Sequence, residues 1–314
     1  MRAVVVRSFG GPEALEPAEV PEPVPGPGQV RIRVAAAAVN PVDALTRAGA
    51  LAEAGLLPAG SRAEFGIGWD VAGTVDAVGE GVARFAAGDE VIGVRDRLDA
   101  PLGTYAEAVV LDAAAVAAAP RSVDAAHAAT LPLNGLTALR ALDLLDLRAG
   151  ATVLVTGAAG ALGGYAVELA ALRGLRVVAQ AGADDEEAVR RLGAELFVPR
   201  GEHVGDAVRG LVPGGADGAV DAAMLGAAAL DAVRNGGSFV AVNAGPSVPP
   251  PLRGTRVHNV WISADAGRLA ELSALVDAGR LTTRVARTLP LEKAAEAHRL
   301  LAEGGLRGRL VLVP

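Results

Sequence analysis

The chain contains no cysteine. That excludes disulfides, thiol nucleophiles and cysteine-ligated zinc together. Histidine is scarce: His127, His203, His258 and His298 are the four, and no two are closely spaced. A histidine-based metal site therefore has no spacing to rest on. Lys293 is the only lysine among 29 basic residues and lies in a polar, helix-like stretch, which argues against Schiff-base chemistry. Aromatic residues make up 3%, so a ligand cleft would be lined mainly by aliphatic groups. A net charge of −7 speaks against a nucleic-acid partner. No run of 18 residues is free of polar breaks, so no membrane span is expected. The opening "MRAVVVRSFGGPEALEP" carries no apolar secretion core, and a cytoplasmic location is expected.

The residues that are present fall into two styles. At 314 residues the chain exceeds a typical single core and suggests two domains. The first third is β-rich and bent by glycine. "RAVVVRSF" and "QVRIRVAAAAV" read as strands around the turn region "PEPVPGPG", and Gly73, Gly79, Gly81 and Gly88 punctuate the next stretch. The pattern changes near Arg121, where "SVDAAHAATLPLNGLTALRALDLLDL" reads as helical. Short apolar runs then alternate with helical segments. They are Thr152–Thr156, Arg176–Gln180, Glu195–Val198, Gly218–Asp221, Ser238–Asn243 and Val257–Ile262. Such alternation argues for a parallel sheet with helices on both faces. The end returns to mixed character, with "DAGRLAELSALVDAGRL" and "PLEKAAEAHRLLAEG" as helices, and "TTRVARTL" and "RGRLVLVP" as strands.

The stretch "VLVTGAAGALGGYAVELAALRGLRVVAQAG", Val153–Gly182, carries the most chemistry. Val153–Thr156 is a buried-strand run, Gly157 starts a tight turn, Ala161–Arg173 reads as a helix, and the next strand ends at Gln180. A pyrophosphate requires free N–H groups at a helix N-terminus and a backbone that comes close. Gly160 would allow the approach and Gly163 the packing of helix on strand. The spelling is Ala158-x-Gly160-x-x-Gly163 rather than three glycines, so the alternative is an ordinary strand–helix turn. A short-chain dehydrogenase would need a Tyr-x-x-x-Lys pair. Here Tyr105 and Tyr165 are followed four residues later by Val109 and Leu169.

The pieces "AAAAVNPVDALTRAG", "GWDVAGTVDAVGEGVARFAAGDEVIG", "GTYAEAVV", "AATLPLNGLTALRAL", "VLVTGAAGALG", "LGAELFV" and "LPLEKAAEAHRLLAEGGLRGRLVL" run from end to end of the chain. Together they resemble the zinc-independent medium-chain dehydrogenase/reductases of the quinone oxidoreductase-like group. The resemblance implies an α/β protein with two parts. A GroES-like β-rich domain would cover 1–121 and 264–314, and a Rossmann doubly wound parallel-sheet domain 122–263, with the active site in the cleft between them. It also implies a small-molecule substrate and a homodimer joined through the edge strand "RVHNVWIS". Zinc-containing relatives place Cys at the position of Asn40, His at Trp69 and a second Cys near Leu133. Their structural-zinc lobe is reduced here to "RDRLDAPLG". No zinc is therefore expected. Without a Lewis acid, hydride from a nicotinamide is expected to go to acceptors that are already electrophilic, quinones or α,β-unsaturated carbonyls.

A carboxylate at the end of the second strand would hold a ribose 2′-OH and repel a 2′-phosphate. Gln180 removes the repulsion, which permits NADPH, with NADH as the alternative. The family's phosphate-binding Ser and basic residue fall on Gly182 and Asp184, which do not supply those contacts. Asp184 has another explanation, a helix N-cap in "DDEE" with Glu187 closing a capping box. Arg200 aligns with an adenosine-phosphate contact, and is otherwise a solvated loop arginine. The resemblance further implies cofactor contacts from Thr137, Gly157, Ala158, Gly160, Ala161, Leu162 and Gly163, and from Ala244 and Gly245, the latter also a plain turn residue. Asn40 and Asn134 are the candidates for donating a hydrogen bond to a developing oxyanion. Each is also explained locally, Asn40 as a turn residue before Pro41 and Asn134 as a helix cap. No general acid stands out: a tyrosine that some enoyl-reducing relatives use is Ala50 here, and His258 reads better as a strand-end residue. A non-redox nucleotide-binding or interaction protein on this scaffold, and a specialised reductase or isomerase for one bulky intermediate, are the competing functions.

Overall fold

The computed structural model describes residues 1–56, 64–242 and 248–314. It divides into two compact units, Met1–Leu133 with Ser263–Pro314, and Asn134–Ile262. The first unit opens with β1 (Arg2–Val6), β2 (Glu16–Glu19), β3 (Gln29–Val39), α1 (Pro41–Ala48), α2 (Ala50–Glu53) and β4 (Phe65–Gly66). It continues with β5 (Asp70–Val78), β6 (Glu90–Val94), β7 (Ala108–Asp112), β8 (Val116–Ala118) and α3 (Ala125–Ala128). Helix α4 (Pro132–Leu145) carries the chain into the second unit. There the elements are β9 (Thr152–Thr156), α5 (Ala161–Leu172), β10 (Arg176–Ala181), α6 (Glu186–Arg191) and β11 (Leu196–Pro199). Next come α7 (Val204–Leu211), β12 (Ala216–Asp221), α8 (Ala227–Asp231), β13 (Val233–Ala241) and β14 (Arg256–Asn259). The chain then returns to the first unit as α9 (Ala266–Asp277), β15 (Val285–Pro290), α10 (Ala294–Glu303) and β16 (Arg309–Val313).

In the first unit, β3 organises the main sheet, which runs β15-β16-β3-β5-β6-β8 with β7 also paired to β3. The alternation in "VRIRV" explains its placement. Val30, Ile32 and Val34 point into the core, while Arg31 and Arg33 face outward and share Asp76 across the strand pair. The C-terminal return is welded in by β16, which lies antiparallel to β3 with Leu310 opposite Val39. A smaller sheet, β2-β1-β4, covers part of this core. The unit extends through Leu133, past the 121/122 boundary expected from the sequence. One bond there is the Leu133 N–H to Asp70 in β5.

The second unit is a six-stranded, all-parallel sheet in the order β11-β10-β9-β12-β13-β14. The chain steps outward from β9 to β11, then crosses back to β12 on the other side of β9. That reversal is the topological switch point at which open α/β sheets bind ligands. All five residues of β9 are buried, as expected of a strand covered on both faces. Two strand boundaries differ from the sequence expectation. Strand β13 begins at Val233, not Ser238, because a register shift between Ala216 and Gly218 and a left-handed Gly236 let "RNGG" stay in the sheet. Strand β14 stops at Asn259, opposite Ala241, the last residue of its partner, so nothing remains to pair Val260–Ile262. No helix among the described residues is long and apolar enough to cross a membrane.

Candidate functional site

In the second unit, β9 delivers the chain at Thr156 into the turn. Gly157 has φ +60°, the left-handed conformation that costs glycine nothing. Gly160 is the N-cap of α5, with no side-chain cap, so the first turn of a twelve-residue helix presents its N–H groups outward. A Cβ on Gly163 would lie 2.1 Å from the Gly157 carbonyl oxygen, so helix and turn touch backbone to backbone. At Gly160 a Cβ would meet only that oxygen, at 3.2 Å, so the protein itself leaves room there.

Both neighbouring strands grip this turn. From β10, the Gln180 backbone carbonyl accepts the Ala158 N–H at 3.0 Å and its side-chain Oε1 accepts the Gly157 N–H at 3.2 Å. Gln180 is buried, and its side chain turns in toward the turn. From β12, the buried Asp221 Oδ1 accepts the Thr156 hydroxyl at 2.7 Å, and Thr156 Oγ1 accepts the Ala223 N–H at 3.0 Å. Asp221 also takes the Leu225 and Gly226 N–H groups, at 3.1 and 2.7 Å, which fixes the loop after β12.

Beyond β10, Gly182 leads into a short 3-10 turn, Ala183–Asp185, before α6. The capping box expected of "DDEE" is absent. Neither helix start has a side-chain cap bond, because the 3-10 turn makes Asp185 the N-cap and leaves Glu187 free to pair with Arg191. Arg200 comes after β11, and its N–H donates to the Ala181 carbonyl at 2.6 Å, which sets it beside the end of β10. Its side chain is exposed and makes no ion pair among the described residues. Asn134 and Thr137, one turn apart on α4, are both buried. Ala161 is buried, and Leu162 stands next to it in the first turn of α5. Ala244 and Gly245 lie outside the described residues.

In the first unit, Asn40 is the N-cap of α1 and fully buried. Its N–H donates to Asp43 at 2.7 Å, and its Nδ2 donates to Asp70 Oδ2 at 2.8 Å. The other oxygen of Asp70 accepts the Leu133 N–H at 2.6 Å. Asp70 thus gathers Asn40 and Leu133 around one carboxyl, with Trp69 as its chain neighbour. Burial pushes the Asp70 carboxyl up to about 7, against the two hydrogen bonds and with a smaller push from Asp43. Asp43 is likewise pushed up to about 7 by burial, opposed by bonds from Asn40 and Tyr105, and its Oδ1 has no hydrogen-bond partner.

A directed chain leads away from Asp43. A guanidinium only donates, so Arg47 Nη1, 3.0 Å from His298 Nδ1, makes that nitrogen an acceptor. The proton then sits on Nε2, 3.3 Å from the Tyr105 hydroxyl, which donates in turn to Asp43 Oδ2 at 3.1 Å. Burial, then Arg47, lower His298 to about 3, and burial raises Tyr105 well above its usual value. None of Asp43, Asp70, Tyr105, His298 and Asp221 stood out in the sequence as a site residue. The one available signal was Asn-x-x-Asp ahead of an apolar helix, a capping-box spelling. His258 sits in β14 opposite Val240 and is partly buried.

Residues 26–121 match the family model described as alcohol dehydrogenase GroES-like domain, and residues 192–312 that described as zinc-binding dehydrogenase. The whole chain aligns over 333 residues with human quinone oxidoreductase at 31% identity, covering 98% of that protein. The chain belongs to the medium-chain dehydrogenase/reductase family, in its quinone oxidoreductase-like group. It is also 31% identical to the NADPH-dependent alkenal/one oxidoreductase, chloroplastic, of Arabidopsis thaliana, over all of this chain and 80% of that one. A crystal structure of an NAD-dependent alcohol dehydrogenase matches with a TM-score of 0.88 and 35% identity, with both chains fully covered. The first unit is the family's GroES-like domain and the second its Rossmann-type domain, and the protein is an oxidoreductase.

Proposed function

We propose that the protein is an NADPH-dependent oxidoreductase that reduces quinones or α,β-unsaturated carbonyls without zinc. The observation that carries the proposal is the turn Gly157–Gly163 at the switch point of the parallel sheet, with Gly163 packed on the Gly157 carbonyl and α5 opening behind it. A Cβ would fill that cradle, and the uncapped helix start suits a pyrophosphate. A bound nicotinamide supplies the hydride. The chain's own residues hold and orient: the N–H groups of the first α5 turn, through Leu162, take the pyrophosphate. The Arg200 guanidinium beside the end of β10 offers a cation to a 2′-phosphate.

The Asp70 centre supports the choice of acceptor. Zinc requires thiolate, imidazole or free carboxylate ligands. At the three aligned positions stand an amide, an indole and an aliphatic side chain, and the carboxyl among them already accepts two N–H bonds. This donor set does not fit zinc, so the acceptor has to be electrophilic by itself. Asn40 keeps one amide hydrogen weakly engaged, 3.5 Å from the Ala38 carbonyl, and it and Asn134 are the groups proposed to steady charge on the acceptor oxygen. Hydride brings two electrons and one proton, and the second proton of a hydroquinone comes from water. We further propose a homodimer through the sheet edge at β14.

A second cofactor choice, NADH, is favoured by Asp184, an exposed acid just past Gly182. The test is stopped-flow nucleotide oxidation with a panel of quinones and enones, with NADPH and NADH side by side and with a chelator present. Chelator-resistant turnover with higher kcat/KM for NADPH supports the proposal. Absence of turnover together with absence of nucleotide binding by calorimetry would sink it.

A further inference from the structure

We propose that Gln180 is a positioning residue for the dinucleotide, acting by bracing the glycine turn and not by touching the ribose. The inference rests on the nucleotide-binding function proposed above and names what this residue does within it. Gln180 stands at the strand end where a carboxylate would face the ribose. Its own geometry points elsewhere. Through its backbone carbonyl and its side-chain Oε1 it takes the N–H groups of two consecutive turn residues, Ala158 at 3.0 Å and Gly157 at 3.2 Å. An amide N–H can meet only the oxygen of a carboxamide, so the side-chain orientation is set by the bond. Gln180 is 6% exposed, so water competes little for this contact.

The braced residue is the one the site depends on. Gly157 is held in the left-handed region, and its carbonyl is the surface against which Gly163 packs. Its N–H is therefore fixed by β10 and its carbonyl by α5, while Thr156 just before it is tied to Asp221 on β12. Removing the Gln180 oxygen frees one corner of this frame and loosens the whole turn. A loosened turn weakens the hold on a pyrophosphate, which NADH and NADPH share, and leaves the discrimination between them unchanged. A ribose contact at residue 180 would do the opposite and shift the ratio.

The test is Gln180→Met, which keeps length and apolar volume but loses the oxygen acceptor. In the nucleotide-free protein, NMR should show the Gly157 amide exchanging with solvent roughly ten-fold faster. Calorimetry should show Kd for NADH and NADPH rising by one common factor of roughly 3 to 10. At saturating nucleotide kcat should hold while KM rises for both. A Kd ratio that moves about five-fold, or unchanged Gly157 exchange in a variant of wild-type melting temperature, overturns the brace. Wild-type protein that binds neither nucleotide overturns the proposed function itself, which the exchange measurement distinguishes from failure of the brace alone.

Discussion

Adding one methyl group at three glycines separates packing from ligand contact in the turn. At Gly163 the new carbon would lie 2.1 Å from the Gly157 oxygen, 2.7 Å from its carbonyl carbon and 2.9 Å from the Ala158 Cα. All three obstacles are backbone, and the shortest is more than about 1 Å inside a comfortable contact. Overpacking of this kind costs roughly 1–3 kcal/mol, and here the upper half of that range applies because no side chain can swing away. Alanine in a helix returns about 1 kcal/mol, so Gly163→Ala should lose about 1–2 kcal/mol net. Gly210, near the end of α7, meets nothing within 4 Å, so Gly210→Ala keeps the propensity gain and should be neutral or stabilised by up to about 1 kcal/mol. Gly160→Ala meets one oxygen at 3.2 Å and loses a favourable N-cap, a cost of about 0.5–1 kcal/mol. Its main effect should be on ligand, with NADPH binding weakened about ten-fold or more because the backbone can no longer come close. Urea unfolding and calorimetry read the two effects separately. Wild-type stability in Gly163→Ala would refute the packing estimate, and wild-type nucleotide affinity in Gly160→Ala would refute the phosphate turn.

Arg200→Ala should weaken NADPH about ten-fold at low salt and leave NADH unchanged, since only the 2′-phosphate meets the guanidinium; equal effects on both would remove Arg200 from the proposed site. Asp70→Asn turns one of two acceptor oxygens into a donor facing an N–H, at Leu133 or Asn40, and should cost about 1–3 kcal/mol in urea unfolding. The same variant should also change the pH dependence. A carboxyl raised to about 7 binds its proton more tightly folded than unfolded, so its contribution is full below pH about 4 and is lost as pH rises through 7. A variant as stable as wild type at every pH would contradict the burial argument. For His298, lowered to about 3, the sign is reversed: between pH 6.5 and 3 the unfolded chain takes up a proton that the folded one does not, so acid destabilises. His298→Gln should therefore gain on wild type as pH falls from about 6.5 to about 4.5, and a constant difference across that range would show that His298 does not titrate as its burial requires.

The parts legible in the sequence were those decided by local apolar runs. The strand Thr152–Thr156, the start of α5 at Ala161 and the start of β10 at Arg176 all stand where the pattern of "VLVTGAAGALGGYAVELAALRGLRVVAQ" puts them, because a strand buried on both faces is an uninterrupted apolar run. Long-range pairing set the features that escaped. Asp70 matters because β3 and β5 are neighbours, which brings Asn40 to it, and because the chain reaches Leu133 beside it. His298 reads as one polar position of the helix "EKAAEAHRLLAEG", yet it is 1% exposed, because the returning chain lays α10 over the first unit's core. Gln180 was legible as a missing carboxylate, but its side-chain bond to Gly157 needed the register of β10 on β9, with Gln180 opposite Thr156.

The two units solve the same problem in the same way, and this bears on how the proposed chemistry would obtain its rate. Each places a residue needed at the site beside a buried acceptor on a neighbouring strand: Asn40 beside Asp70, and the Gly157 N–H beside Gln180. Neither acceptor is offered to solvent, so the alignment is fixed before any ligand arrives. Preorganisation of that kind lowers a barrier without a Lewis acid, provided the acceptor molecule is electrophilic to begin with. A carboxyl such as Asp70, already filled by two N–H donors, does not serve both as that anchor and as a metal ligand. If Asp70 is the anchor, then replacing the Asn40 amide should change kcat more than nucleotide affinity, whereas loosening Gly157 should change affinity more than kcat. That opposite pair of effects is what two separately braced halves of one reaction require.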